Sequence, residues 1–155
     1  MRWMMTAALA TLCLVGAPAP LSAAEPIATT DGESPGLSLE VREFKVSNGT
    51  VMMKFTIANN GAGAFDVYTL RDQAVAKADG NAVSGIYLVD VPNKKKYFVV
   101  TDTDGHCVCS RDMNPLPSKQ SANLWAKFPA PPDGVTKIGV VVPHFVPMDD
   151  VPLSR

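Results

Sequence analysis

The stretch that decides the fold is Leu37-Ser38-Leu39-Glu40-Val41-Arg42-Glu43-Phe44-Lys45-Val46-Ser47-Asn48-Gly49-Thr50-Val51-Met52-Met53-Lys54-Phe55-Thr56-Ile57. Leu37, Leu39 and Val41 alternate with Ser38, Glu40 and Arg42, the period of a half-buried strand. Phe44 and Val46 fall on the opposite parity. A strand that keeps both sets on one face therefore needs a bulge or bend near Arg42-Glu43. Asn48-Gly49 is the strongest short-range hairpin signal. Beyond it Val51, Met53, Phe55 and Ile57 form the apolar face of a returning strand, with Lys54 and Thr56 on the other face.

The same grammar continues toward the C-terminus. Asn59-Asn60-Gly61-Ala62-Gly63 ends the hairpin, and residues 65–70 read as a third strand. Residues 71–84 fit either a helical turn or a strand. Residues 86–91 are apolar enough for a strand buried on both faces. Pro92-Asn93-Lys94-Lys95 turns the chain, and Lys96-Tyr97-Phe98-Val99-Val100-Thr101 returns it. Asp102-Thr103-Asp104-Gly105 is a further turn, followed by a short strand over residues 106–110. Ala122, Leu124, Ala126 and Phe128 alternate with Asn123, Trp125 and Lys127, until Pro129, Pro131 and Pro132 end the strand. Residues 135–142 are the last long strand. The Pro-rich residues 143–155 read as an extended tail over the surface. Seven to nine short strands separated by turn signals predict an all-β chain, an immunoglobulin-like antiparallel β-sandwich.

The N-terminus reads differently. Met1-Arg2-Trp3 is a short positive region, residues 6–15 are apolar, and Ser22-Ala23-Ala24 is a small-x-small cleavage site. This is the layout of a secretory signal peptide over residues 1–24. The apolar run is shorter than the roughly 20 residues a spanning helix needs, so no transmembrane segment is expected after cleavage. The expected location is periplasmic or secreted. Removing 24 of the 155 residues leaves 131, enough for one independently folding domain. Residues 25–36, with two Pro and two Gly, read as a flexible leader, and residues 37–155 as the sandwich domain with its tail.

The whole chain holds 14 Lys+Arg against 15 Asp+Glu, a net charge of −1. This near balance gives no support for a nucleic-acid partner, which normally needs a basic stripe. Of three Cys, Cys13 leaves with the signal peptide, so Cys107 and Cys109 remain. An even count in an oxidising compartment favours a disulfide between them. Cβ atoms two residues apart on an extended strand are roughly 6.5 Å apart, whereas a disulfide needs about 3.8 Å, so the bond requires a kink at Val108. Two other states compete: a pair of free thiols, and a soft-metal site in which His106, Cys107 and Cys109 bind copper(I) or zinc, with Met113 and Met148 as further thioether donors. No cofactor is otherwise indicated.

Other candidates are weaker. Asp102-Thr103-Asp104-Gly105 has the core of some calcium loops but lacks the later oxygen ligands, so a plain turn is expected. Ser110 and Ser121 have no Gly-x-Ser-x-Gly elbow, and no carboxylate pair is placed for acid/base work. The protein is therefore read as a non-enzyme. His144 reads as an ordinary surface or packing residue, and Asn48-Gly49-Thr50 as a turn ahead of a glycosylation site. Trp125 is either core or an exposed binding anchor. Lys94, Lys95 and Lys96 form a solvated turn that discourages edge pairing, or a docking patch.

Residues 97–110, then Leu124-Trp125-Ala126-Lys127-Phe128-Pro129-Ala130-Pro131-Pro132 and Val142-Pro143-His144-Phe145-Val146-Pro147-Met148-Asp149-Asp150-Val151-Pro152, together carry a resemblance. They resemble the exported immunoglobulin-like accessory module placed ahead of OmpA-like peptidoglycan-binding domains in some bacterial envelope proteins. The resemblance covers roughly the C-terminal half of the chain after the signal peptide. It implies a binding or accessory role in the cell envelope. The 155 residues include no OmpA-like domain, so that domain's cell-wall binding is not carried over. Three functions are expected in order: a non-catalytic binding module whose partner is another envelope or secreted protein; a periplasmic metal-binding or redox protein centred on His106, Cys107 and Cys109; and an immunity or inhibitor protein against an exported toxin.

Overall fold

A computed structural model describes residues 24–73 and 80–155. Residues 1–23 of the expected signal peptide and residues 74–79 of the ambiguous segment 71–84 lie outside the described residues. Among the described residues no helix is long and apolar enough to cross a membrane. Eight strands among the described residues form two four-stranded antiparallel sheets: β1 Ala28–Asp31, β2 Leu37–Ser47, β3 Thr50–Asn59, β4 Tyr87–Asp90, β5 Lys95–Phe98, β6 Gln120–Pro129, β7 Lys137–Val141 and β8 Met148–Pro152. Sheet I has the order β1-β2-β3-β6 and sheet II the order β5-β4-β7-β8. The all-β sandwich is as expected. Its strand order keeps β2 and β3 together as a hairpin of one sheet, whereas the immunoglobulin order sends the chain to the opposite sheet after its second strand.

The hairpin is built as its residues dictate. Asn48 and Gly49 both have positive φ, 50° and 74°, the geometry whose twist matches the flanking strands. The register slips between Val41 and Glu43. That bulge returns Phe44 to the inner face after Leu37, Leu39 and Val41, and all four are buried. From β3 and β6 the core takes Val51, Met53, Phe55, Ile57, Leu124, Ala126 and Phe128. Sheet II answers with Leu88, Tyr97, Ile138, Val140 and Val151. Burial, with the nearby Asp90 carboxylate in second place, raises the Tyr97 hydroxyl pKa.

Four sequence expectations are corrected. Within the expected leader, Ala28–Asp31 pairs with residues 38–41 of β2. The following Pro35-Gly36 bends back tightly: Gly36 has φ 81°, and a Cβ there would come within 2.7 Å of the Gly61 nitrogen. The expected strand over residues 65–70 is a 3₁₀ turn, Val67–Leu70, capped by Asp66, whose side chain accepts from the Tyr68 N–H. Val67 and Leu70 are both buried, a three-residue spacing that suits this tighter helix. Residues 106–110 form isolated bridges, Thr101 with Cys107 and Cys109 with Ala126, and no strand. The expected surface tail contains β8, with Met148 and Val151 turned inward. Its prolines are tolerated because β8 is an edge strand.

Both long edges of sheet I are covered by chain from elsewhere. Along β2 the bulge divides the work. Residues 38–41 pair with β1, while Phe44 and Val46 exchange backbone hydrogen bonds with Ser154. β1 is in turn held by Val146, which donates to Asp31 and accepts from Thr30. Unpaired strand edges recruit other chains, and here backbone groups of β1 and of the end of β2 are bonded internally.

Candidate functional site

The second edge of sheet I is closed by the Cys-Val-Cys segment. Val100 N–H donates to Lys127 (2.8 Å), Lys127 N–H to Val108 (3.0 Å), and Ser110 N–H to Trp125 (2.9 Å). The Ser110 hydroxyl accepts from the Trp125 N–H at 3.0 Å, and Val108 donates back to Val100 at 2.7 Å. The chain leaving β5 in sheet II thus crosses to β6 in sheet I and folds back on itself there. The Cys107 and Cys109 sulfurs meet at disulfide distance, with Cα atoms 5.3 Å apart, closer than a fully extended two-residue step of roughly 6.5 Å. Both cysteines are buried. Their position makes the pair a clip on the sandwich edge.

The turn that leads into the clip uses its carboxylate locally. Asp102 accepts from the backbone N–H groups of His106 (2.8 Å) and Asp104 (3.0 Å). The His106 hydrogen bond is the main cause of a lowered Asp102 pKa. The plain-turn reading of Asp102-Thr103-Asp104-Gly105 therefore fits the geometry. Among the described residues no three His, Cys, Asp or Glu side chains converge as a metal-binding group. His106 is half-buried at the mouth of the clip and does not join Cys107 and Cys109 in such a set.

The two outer faces of the sandwich carry the remaining candidates. Trp125 projects from β6 on the outer face of sheet I, 36% exposed, so it is not core. It lies across from Lys54 over a shallow depression of about 250 Å³ shared with Arg42, Thr56 and Asn123. Polar pairs occupy this face: Lys54 with Glu43 at 2.8 Å, Thr56 with Asn123 at 2.8 Å, and Arg42 with Glu40. His144 lies elsewhere, its Nδ1 2.9 Å from the Glu33 carboxylate beside a pocket of about 520 Å³ near the β3 terminus.

Sheet II is different. β4 was expected to be buried on both faces, yet only Leu88 and Asp90 are buried within it. Its other side carries the half-buried Tyr87 and Val89, while Val91, just past the strand, is 70% exposed and Phe98 on β5 is 59% exposed. Phe98 is registered with Tyr87 and Tyr87 with Val141, an apolar row across three strands. The Tyr87 and Phe98 rings lie 5.9 Å apart. The next row runs Lys96, Val89, Gly139, and Gly139 faces a bulge on β8 at Asp149-Asp150. Lys96 Nζ sits 4.7 Å over the Tyr87 ring, which puts that ammonium on the apolar face. Lys94 occupies the turn with φ 52°, and Lys95 reaches over Tyr97 at 5.1 Å. An open groove of about 830 Å³ continues the face, lined by Val89, Val91, Pro92, Pro132, Gly139 and Asp149 among others.

Of the sequence candidates, only Lys96 stands on this outer face; Lys95 shares the inward parity of Tyr97, and Lys94 sits in the turn. Trp125 is on the opposite sheet. Phe98, Val91, Gly139, Asp149 and Asp150 were not singled out from the sequence. The available signal was the shared parity of Lys96 and Phe98 on one strand, opposite to Tyr97. No protein-family model, curated protein or solved structure matches the chain.

Proposed function

We propose that the protein is an exported, non-catalytic binding or accessory module of the bacterial cell envelope that joins other exported protein through the outer face of sheet II. One observation supports this reading above the rest. Val91, Phe98, Tyr87, Val89 and Val141 leave an apolar strip on one sheet, bordered by lysines, while the opposite sheet sets polar pairs around Trp125 on its outer face. Contiguous exposed apolar surface with a charged rim is what interaction sites look like in soluble domains. The bonded edges of sheet I argue against recruitment by strand addition there, so a face is the better docking element.

The metal or redox alternative draws no comparable support. The sulfurs of Cys107 and Cys109 are at disulfide distance and buried, and the backbone around them is committed to the β6 edge. No specific observation favours the immunity or inhibitor reading.

The test is site-specific photo-crosslinking in the producing cell. A photoreactive residue at position 98 should give a discrete adduct with an exported protein, identified by mass spectrometry and reproduced with purified components. The same residue at position 54, on the polar face, should give none. Equal labelling from both positions, or no adduct from position 98, removes the reading.

A further inference from the structure

We infer that the protein docked on the outer face of sheet II is a second copy of this chain, related by a two-fold axis running along the strands between β4 and β7. The inference rests on reading that face as the binding surface and names its occupant. The argument is the distribution of charge across the row Lys96–Val89–Gly139–Asp149/Asp150. A cation stands at the β5 edge, two carboxylates at the β8 edge, and an apolar residue and a bare glycine between them. A two-fold axis along the strands exchanges β5 with β8 and β4 with β7. Lys96 of each copy then lies over the Asp149-Asp150 bulge of the other, so the contact is isologous and each charge meets its opposite twice.

The middle of the row matches under the same operation. Val89 comes over the position of Gly139, and Tyr87 over Val141. At Gly139 an added Cβ would lie 3.3 Å from the Val89 carbonyl oxygen, so the site is kept as a depression able to take a side chain from the facing copy. A partner of one sign fits less well. A polyanion attracted by Lys96 meets Asp149 and Asp150 on the same face, and a polycation meets Lys96 and Lys137. Complementary edges that repel a wrong partner give specificity.

The size of the face sets the strength. Four strands about 4.8 Å apart and roughly five residues long cover on the order of 300 Å² in projection, less than the roughly 800 Å² per partner of a standard stable interface. Rim contacts from Val91, Pro92 and Pro132 extend it. The pairing is accordingly weak and reversible, and salt weakens it because its charges are exposed.

Sedimentation velocity on the purified protein, from a few micromolar to about 1 mM, tests this directly. The unaltered chain should self-associate to a dimer, less so at high salt. Lys96→Glu should weaken association about tenfold or more, as should Asp149→Lys with Asp150→Lys. Mixing the two charge-reversed proteins should restore dimers as heterodimers, a result that also shows both variants are folded. A chain that stays monomeric up to about 1 mM, or dimers indifferent to both reversals, overturns the inference. Should position 98 still crosslink to a different exported protein while the chain stays monomeric, the binding face stands and self-pairing falls. Neither crosslink nor dimer removes both.

Discussion

The two outer faces of this sandwich have the same backbone and opposite surfaces. On sheet I polar residues surround the outward Met52 and Trp125, and neighbours across strands satisfy one another: Glu43 with Lys54, Thr56 with Asn123. On sheet II the outward positions of the central strands are Tyr87, Val89, Gly139 and Val141, with Lys137 at the start of β7 and the other charges on the edge strands. Both sheets share one core, so neither face is apolar for want of a place to bury side chains. The difference teaches that the alternation of a strand reports only which face is inside. What the other face is for depends on the residues left there, and sheet II has left apolar ones in water.

The largest way to disturb the comparison is to remove what both faces stand on. Phe55 is fully buried beneath the polar face, and Phe55→Ala should cost about 3–5 kcal/mol. Urea unfolding followed by fluorescence reads it. A loss below about 1 kcal/mol would mean that the sheet I face is not anchored through this residue.

The clip at Cys107 and Cys109 comes next. It closes a loop of only three residues, for which chain entropy gives roughly 1.6 kcal/mol. Cys107→Ala with Cys109→Ala should therefore cost less than the 2–5 kcal/mol typical of native disulfides in small secreted domains. Because the segment also covers β6, amide exchange at Trp125 and Lys127 should rise more than at β3. Uniform loss of protection across both sheets would show instead that the clip holds the whole sandwich together.

Acid acts on the same segment. The lowered pKa of Asp102 means that its contribution is present above the ordinary carboxylate range and is lost as pH falls through the folded value. The amide signals of His106 and Asp104 should therefore shift together, with a midpoint below about 3.9, and β3 amides should not follow. A midpoint at or above that value would detach the carboxylate from the turn.

These regions also differ in how legible they were. The β2–β3 hairpin could be read in detail because two signals agree there: strict alternation, and Asn48-Gly49 between the strands. Even the bulge announced itself, since Val41 and Phe44 cannot share a face without one. Sheet II was read only coarsely. Its β4 sequence, Tyr87-Leu88-Val89-Asp90, continues an apolar run from Ile86, and such a run has no parity to show which side faces the core. β8 was hidden by Pro147 and Pro152, which speak against a central strand but not against an edge. β1 is short and flanked by Pro26 and Gly32, so its pairing depends on β2 and not on its own pattern. The candidate face was missed for the same reason: it is assembled from three strands whose register no local pattern encodes.

A smaller effect separates the faces at the surface. Glu43 and Lys54 are both largely in solvent, so a double-mutant cycle should give a coupling of only about 0.2–1 kcal/mol. That coupling should shrink in high salt. A coupling above about 2 kcal/mol would make the polar face a structural element and not a solvated covering.

The smallest expected effect is the most diagnostic. Val91 is 70% exposed, so Val91→Ser in dilute solution should change stability by less than about 0.5 kcal/mol, as at other surface positions. A loss of about 1.5–3 kcal/mol would be the signature of a buried valine and would place Val91 in the fold itself. The comparison sharpens when concentration is raised. A chain that pairs through sheet II is stabilised by mass action, so its melting temperature should climb with protein concentration while that of Val91→Ser climbs less. A substitution on sheet I such as Thr56→Ser should leave the concentration dependence as it was. Parallel curves for all three proteins would mean that the apolar strip, whatever it binds, does not bind itself.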